Sequence, residues 1–295
     1  MRTIRPLFLL SCILFLLPLS HAECIKDHRL NKVSGWLVTD LSIVGTRTLS
    51  SEELASISGD MVGSCFNDNS GEIEERIRNS FQERGYFTAS AKNVRISGHD
   101  PMSVPKPVAI EAEVSEGPRC KFGEIRFTGN HAFPDEKLLA EFPVKKGDLY
   151  QRRKVASGLE KVRDIYLMNG NVDITMVPAS RIVGDRMTLT IDVEEGSQFR
   201  MGKLLVFANP EQADKLRAAW GLQEGAVFDF SYPEKYINDN SSLLPANVTR
   251  RFGQIARNCR ESTVEVRLPI DPFDPRSQVR AKDIDCESQD ARAQH

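Results

Sequence analysis

Three histidines, His28, His99 and His131, stand clear of the apolar N-terminus and of the last residue, and they are the first candidates for proton transfer near neutral pH. They fall in separate segments. His131 sits in a turn phrase whose other copy in the chain carries Arg47 at the same place, so a polar turn residue accounts for it. The sequence holds no G-x-S-x-G, H-E-x-x-H, G-x-x-x-x-G-K-[ST] or dinucleotide glycine fingerprint. The stretch FNDNSGEIEE, residues 66 to 75, hints at a calcium loop, but with Gly71 in the loop's sixth position the first ligand would be Phe66, and a phenyl ring cannot coordinate. That stretch and DPFDP at 271 to 275 read as polar loops. No catalytic residue, metal ligand or cofactor site is expected. A secreted enzyme of unrecognised type is the remote alternative to a binding protein.

The remaining chemistry belongs to the main chain. A strand at the edge of a sheet leaves a row of N–H and C=O groups that can pair with an extended peptide. Two segments are candidates. Val172, Asp173, Ile174, Thr175 and Met176, in NVDITMV, have Asp173 as their single charged guard. Val94 and Ile96 form the other candidate, guarded by Lys92, Asn93 and Arg95. The first segment is the more open, and Val172 to Val177 is expected to be its strand.

These segments are positioned by a repeated unit. VGTRTLSSEEL at 44 to 54 returns 84 positions later as TGNHAFPDEKL at 128 to 138. After each phrase comes a short amphipathic helix, with Leu54 and Ile57 in one copy and Leu138, Leu139 and Phe142 in the other. A stronger helix follows, its apolar stripe formed by Ile73, Ile77 and Phe81, then by Val155, Leu159, Val162 and Tyr166. Gly85 and Gly170 stop these helices, and Gly45 and Gly129 sit in the repeated turn; all four read as structural. A strand comes next, near 88 to 96 and 171 to 177. A strictly alternating strand closes each copy: Val108, Ile110, Ala112, Val114, then Met187, Leu189, Ile191, Val193. Glu116-Gly117 and Glu195-Gly196 end the copies alike. A weaker third copy starts at Gly202, with a poor second helix near 232 to 244 and a closing strand through Val264, Val266, Leu268 and Ile270.

The expected fold class is therefore α+β, with three tandem β-α-α-β-β units, each a three-stranded mixed sheet covered by two helices. The expected boundaries are an N-terminal segment at 23 to 35, units at 36 to 118, 119 to 196 and 197 to 270, and a polar, disordered tail from 271 to 295. Residues 1 to 22 read as a signal peptide. Arg2 and Arg5 precede an apolar run that Ser20-His21-Ala22 closes, so the chain is expected to be exported. LLSC ending at Cys12 loosely fits lipid attachment, and that alternative stays open. Without Arg2 and Arg5 the chain has 37 Lys and Arg against 41 Asp and Glu, too even a balance for a nucleic-acid or anionic-lipid surface. Export permits disulfides. Cys259 with Cys286 would close a C-terminal loop, and Cys24 with Cys65 or with Cys120 would tie down the N-terminus.

The unit order resembles POTRA (polypeptide-transport-associated) domains. The residues that carry the resemblance are Gly129 to Phe133, Gly85-Tyr86 and Glu194 to Gly196, and it extends over roughly 36 to 270. It implies a periplasmic protein, free or at the outer membrane, in barrel assembly or two-partner secretion. Its implied partners are unfolded outer-membrane or exported polypeptides, or a separate barrel or assembly subunit, with no nucleic acid. Members of the familiar kind continue into a membrane barrel, and no run of alternating strands follows residue 270 here, so the expectation is the binding half of such a machine. A passive scaffold subunit would have the same fold without peptide affinity.

Overall fold

The structure, a computed structural model, describes residues 25–27, 32–66, 70–98, 102–103, 105–244, 254–271, 273–279, 281–284 and 286. The signal peptide and Cys24 lie outside the described residues. An antiparallel ribbon, β1 (Ile25–Asp27) with β2 (Lys32–Ser34), comes first.

The first repeat supplies β3 (Trp36–Val44), α1 (Ser51–Gly59), β4 (Cys65–Phe66), α2 (Ser70–Gln82), β5 (Ser90–Ser97) and β6 (Lys106–Ser115), in the sheet order β4-β3-β6-β5. The helix at 51 starts where it does because Ser50 and Glu53 form a capping box: the Ser50 hydroxyl accepts from the Glu53 N–H, and the Glu53 carboxylate accepts from the Ser50 N–H. β3 is parallel to β6, so the chain must cross over between them, and α1, α2 and β5 make that crossover. Val108, Ile110, Ala112 and Val114 of β6 are buried, as are Ile73, Ile77 and Phe81 of α2, and they belong to one core. Burying a side chain such as Phe81 contributes about 1.5–3 kcal/mol. This sheet has four strands where three were expected, because Phe66 is buried and its two-residue strand pairs with Trp36 and Leu37.

The second repeat supplies β7 (Lys121–Thr128), α3 (Asp135–Leu139), α4 (Arg152–Met168), β8 (Thr175–Val183) and β9 (Arg186–Glu194), in the order β7-β9-β8. The first helix is only five residues long and Leu139 is exposed. Pro143 stands shortly beyond it and disfavours helical backbone in the residue before it. Along α4, Val155, Leu159, Val162 and Tyr166 are buried, as the spacing predicts.

The third repeat supplies β10 (Arg200–Phe207), α5 (Pro210–Ala219), α6 (Tyr232–Asp239), β11 (Gln254–Asn258) and β12 (Thr263–Pro269), in the order β10-β12-β11. The Asn209 side chain accepts from the Gln212 N–H and Pro210 opens α5, an ordinary helix start. α6 is the second helix expected near 232 to 244, shorter than that span, and a single 3₁₀ turn at Ser241–Leu243 follows it. Phe199, Met201, Leu216, Phe228, Tyr236, Val264, Val266 and Leu268 form the buried core here.

By its contacts the chain divides into two compact units. One comprises Met1–Thr128, Leu139–Leu159 and Val177–Ile191, the other Gly129–Leu138, Glu160–Met176 and Asp192–His295. The first contains the whole sheet of the first repeat, and the second contains the whole sheet of the third. The four glycines named from sequence all have positive φ: +90° at Gly45, +94° at Gly85, +78° at Gly129 and +82° at Gly170. Cys259 and Cys286 are joined by a disulfide with their Cα atoms 5.0 Å apart. Cys65 is also disulfide-bonded, and Cys120 is free and buried. The described part of the tail does not match the expectation of disorder: Pro275–Gln278 is a 3₁₀ turn, and Ile284 bridges to Asn258.

Candidate functional site: the sheet edges

The segment expected as an open edge, Val172 to Val177, is mostly something else. Helix α4 ends in a Schellman motif. The Gly170 N–H donates to Leu167 O (3.2 Å) and the Asn171 N–H to Tyr166 O (2.9 Å), and the Ile174 N–H then turns back to Asn171 O. The motif and the turn that follows it take residues 170 to 174, so the strand starts at Thr175. Ile174 is buried, and Val172 packs on the core of the third repeat. Asp173 is no guard charge on an edge, because its Oδ1 accepts from Arg257 Nη1 at 2.5 Å. Of the named residues, Thr175 and Met176 lie in β8, and the strand runs on to Val183 with Val177 and Val183 exposed. It contains Pro178, which fits an edge position because a proline there removes no ladder hydrogen bond when its nitrogen faces away from the neighbouring strand.

The edge of the first repeat is blunted. In β5 the pairing with β6 slips between Lys92 and Arg95, and Asn93 has φ 51°, the signature of a bulge. Asn93 Nδ2 donates to Glu113 Oε2 (2.8 Å), and Arg95 pairs with Glu111 (3.0 Å), so the polar guards hold on to β6. Val94 and Ile96 turn their side chains inward. Both are packed against the core of their own repeat, since alternate residues of a strand point to opposite faces.

Sequence reasoning missed a pair of carboxylates that hold the repeated turn. Glu116 Oε1 accepts from the main-chain N–H groups of Arg47 (3.1 Å) and Thr48 (2.8 Å). Glu195 Oε1 accepts from those of His131 (2.7 Å) and Ala132 (2.8 Å), and also from the Tyr166 hydroxyl (2.9 Å). Burial first, and then the bond to Glu195, raise the Tyr166 pKa. In the first repeat the Tyr86 hydroxyl meets Thr48 Oγ1 instead, at 3.1 Å. The Glu-Gly endings at 116 and 195 were the visible signal, but the turn N–H groups they accept from lie more than sixty residues away. His131 is exposed and contributes its backbone N–H, so the turn uses its main chain and not its imidazole.

Among the described residues no group of three or more His, Cys, Asp and Glu could hold a metal ion, and no helix is long and apolar enough to cross a membrane. What the geometry offers is backbone hydrogen bonding at the ends of small sheets. The fold is a chain of tandem α+β units.

The POTRA family model, described as "Surface antigen variable number repeat", matches residues 37–117 and 120–196, together just over half of the sequence. The chain belongs to the POTRA family. It is similar to the outer membrane protein assembly factor BamA of Neisseria meningitidis serogroup B, 25% identical over 142 residues, which cover 44% of this chain and 18% of the relative. It is also similar to a putative outer membrane protein assembly factor of Treponema pallidum, 22% identical over 73% of this chain and 29% of the relative. The chain thus spans less than a third of either relative. In fold it is similar to the crystal structure of Haemophilus influenzae BamA POTRA3-5, with a TM-score of 0.56 and 17% identity, covering 79% of this chain and 94% of that one.

Proposed function

We propose that this protein is an exported, periplasmic binding component of outer-membrane protein assembly or polypeptide transport, associated with the outer membrane or free of it. It engages extended polypeptides, or a strand of a partner subunit, by strand addition at β8. Family membership and the named assembly factors among its relatives support the setting. The observation that carries the site is the contrast among edges: β5 is bulged and guarded, whereas β8 is a nine-residue edge strand with Val177 and Val183 exposed. Its function is binding, with no chemical step.

Pro178 gives this reading its register. If its nitrogen faces outward, Ser180 and Ile182 present their N–H groups on the same side, and they are the donors an incoming strand would use. Single-site affinity should be weak, roughly micromolar to millimolar, because the peptide must be ordered on binding. The test is an NMR titration of the full chain with a labelled peptide of alternating apolar and polar residues. Amide shifts centred on Ser180 and Ile182 are expected, and Ser180→Pro should abolish them while leaving the dichroism spectrum unchanged. Absence of shifts in β8 at millimolar peptide would overturn the reading in favour of a passive scaffold.

A further inference from the structure

The third sheet has an edge strand too, and it is occupied. Along the outer side of β11, the Ile284 N–H donates to Arg257 O (2.7 Å) and the Cys259 N–H to Ile284 O (2.9 Å), so residue 284 pairs with the strand in parallel. One residue earlier, Asp283 makes three contacts with a single residue of β11. Its Oδ1 accepts from the Arg257 main-chain N–H (2.8 Å), and its Oδ2 accepts from Arg257 Nε (3.0 Å) and Nη2 (2.5 Å). The Ala281 N–H reaches the Gln254 side chain at 2.8 Å. The disulfide Cys259–Cys286 then closes the far end.

The guanidinium is held from behind. Asp173 takes Nη1, which leaves the Nε and Nη2 edge of the fork turned toward the tail. A planar fork fixed on one side by one carboxylate is preorganised to take a second carboxylate on the other. Neutral main-chain pairing alone would not need such a clamp. Lys282 and Glu261 also border this surface, and both are exposed.

We propose that the outer edge of β11 is a second strand-addition site, selective for an extended segment that carries an acidic residue opposite Arg257, and that the chain's own tail occupies and masks it. The tail's Asp283, followed by the main chain of residue 284, is what this site recognises. A segment of the same chemistry from another polypeptide would bind there in parallel with β11 once the tail is displaced. Because the disulfide tethers the tail next to its site, an outside peptide competes against a high effective concentration and fails while the tether is intact. The inference does not depend on strand addition at β8.

The test uses the full chain and a synthetic peptide, Arg-Ala-Lys-Asp-Ile-Asp-Ser, which copies residues 280 to 286 with serine for the cysteine. A released chain carries Cys259→Ser, Cys286→Ser, Asp283→Asn and Ile284→Pro. It should bind the peptide with NMR shifts at Gln254 to Asn258, whereas the unaltered chain should bind roughly 100-fold more weakly or not at all. Replacing the peptide's first aspartate by asparagine should weaken binding by roughly tenfold, since the charged contact is lost. Equal binding to released and unaltered chains, or no preference for the aspartate peptide, overturns the proposal. Should the released chain lose its dichroism spectrum, the Cys259→Ser/Cys286→Ser chain takes its place: the peptide must then displace Ile284 from Arg257, and no displacement at millimolar peptide overturns the proposal as well. Because the shifts are residue-resolved, binding at β11 without binding at β8 would retain this inference and discard the other.

Discussion

Gly170→Ala tests the helix end that displaced the expected strand. At φ +82° an alanine pays about 1–2 kcal/mol for left-handed backbone. A Cβ there would also lie 2.6 Å from Phe199 O and 3.2 Å from Phe199 N, and both atoms are main chain that cannot rotate away. Phe199 N–H donates to Gly170 O at 2.9 Å, so moving the segment apart stretches that bond as well. Loss of the bond costs about 0.5–1.5 kcal/mol, and the backbone shift about 1–3 kcal/mol. The total expected is roughly 3–6 kcal/mol. Gly225→Ala is the control in the same compact unit: its φ is +83° and a Cβ there meets nothing within 4 Å, so only the conformational part, about 1–2 kcal/mol, should appear. The assay is urea denaturation in a Trp36→Phe background, in which Trp220 of that unit is the only tryptophan left. Equal destabilisation by the two alanines would refute the collision argument, and a change below about 1 kcal/mol at Gly170 would refute the left-handed cap itself.

The turn latch should be measurable in the same way: Glu195→Ala removes the acceptor of three hydrogen bonds and should cost about 2–4 kcal/mol, while Glu194→Ala next to it, an exposed residue, should stay within about 0.5 kcal/mol. Tyr166→Phe removes one of the three and should cost about 1 kcal/mol in the same denaturant titration. The tail should loosen in acid. Its bonds to Arg257 hold the Asp283 carboxyl below the ordinary value of 3.8, so the stabilisation is present above that pH and is lost as pH falls through the lower, folded value. In a Cys286→Ser chain, the protection factor at Ile284, its exchange rate taken relative to that of an unstructured amide at the same pH, should therefore fall below about pH 4 and be flat from there to neutrality, and a protection factor unchanged at pH 2 would contradict the ion pair.

The repeat was legible in the sequence because its signals are local. The stripe Ile73, Ile77, Phe81 and the alternation Val108, Ile110, Ala112, Val114 each lie within one element, and each is buried as its period requires. Gly85 and Gly170 announced left-handed helix ends for the same reason, since a helix stop is decided within about six residues. The start of β8 was misjudged by the width of that stop. Val172 and Ile174 have strand-forming side chains, but the Schellman motif and the burial of Ile174 claim the backbone first.

The candidate site was less legible than the fold. Lys92, Asn93 and Arg95 showed as polar guards, yet nothing local told that Asn93 would adopt φ 51° and bulge the strand, because that depends on which residues of β6 stand opposite. Asp173 read as an edge charge until Arg257, 84 residues on, was placed beside it. Period, caps and turns fixed the class, the repeat and the elements, since each is a contest among neighbouring residues for backbone conformation. Which edge is bulged and which is covered by the tail were decided only when distant segments met, for hydrogen bonds and ion pairs between them leave no trace in the spacing of either one alone.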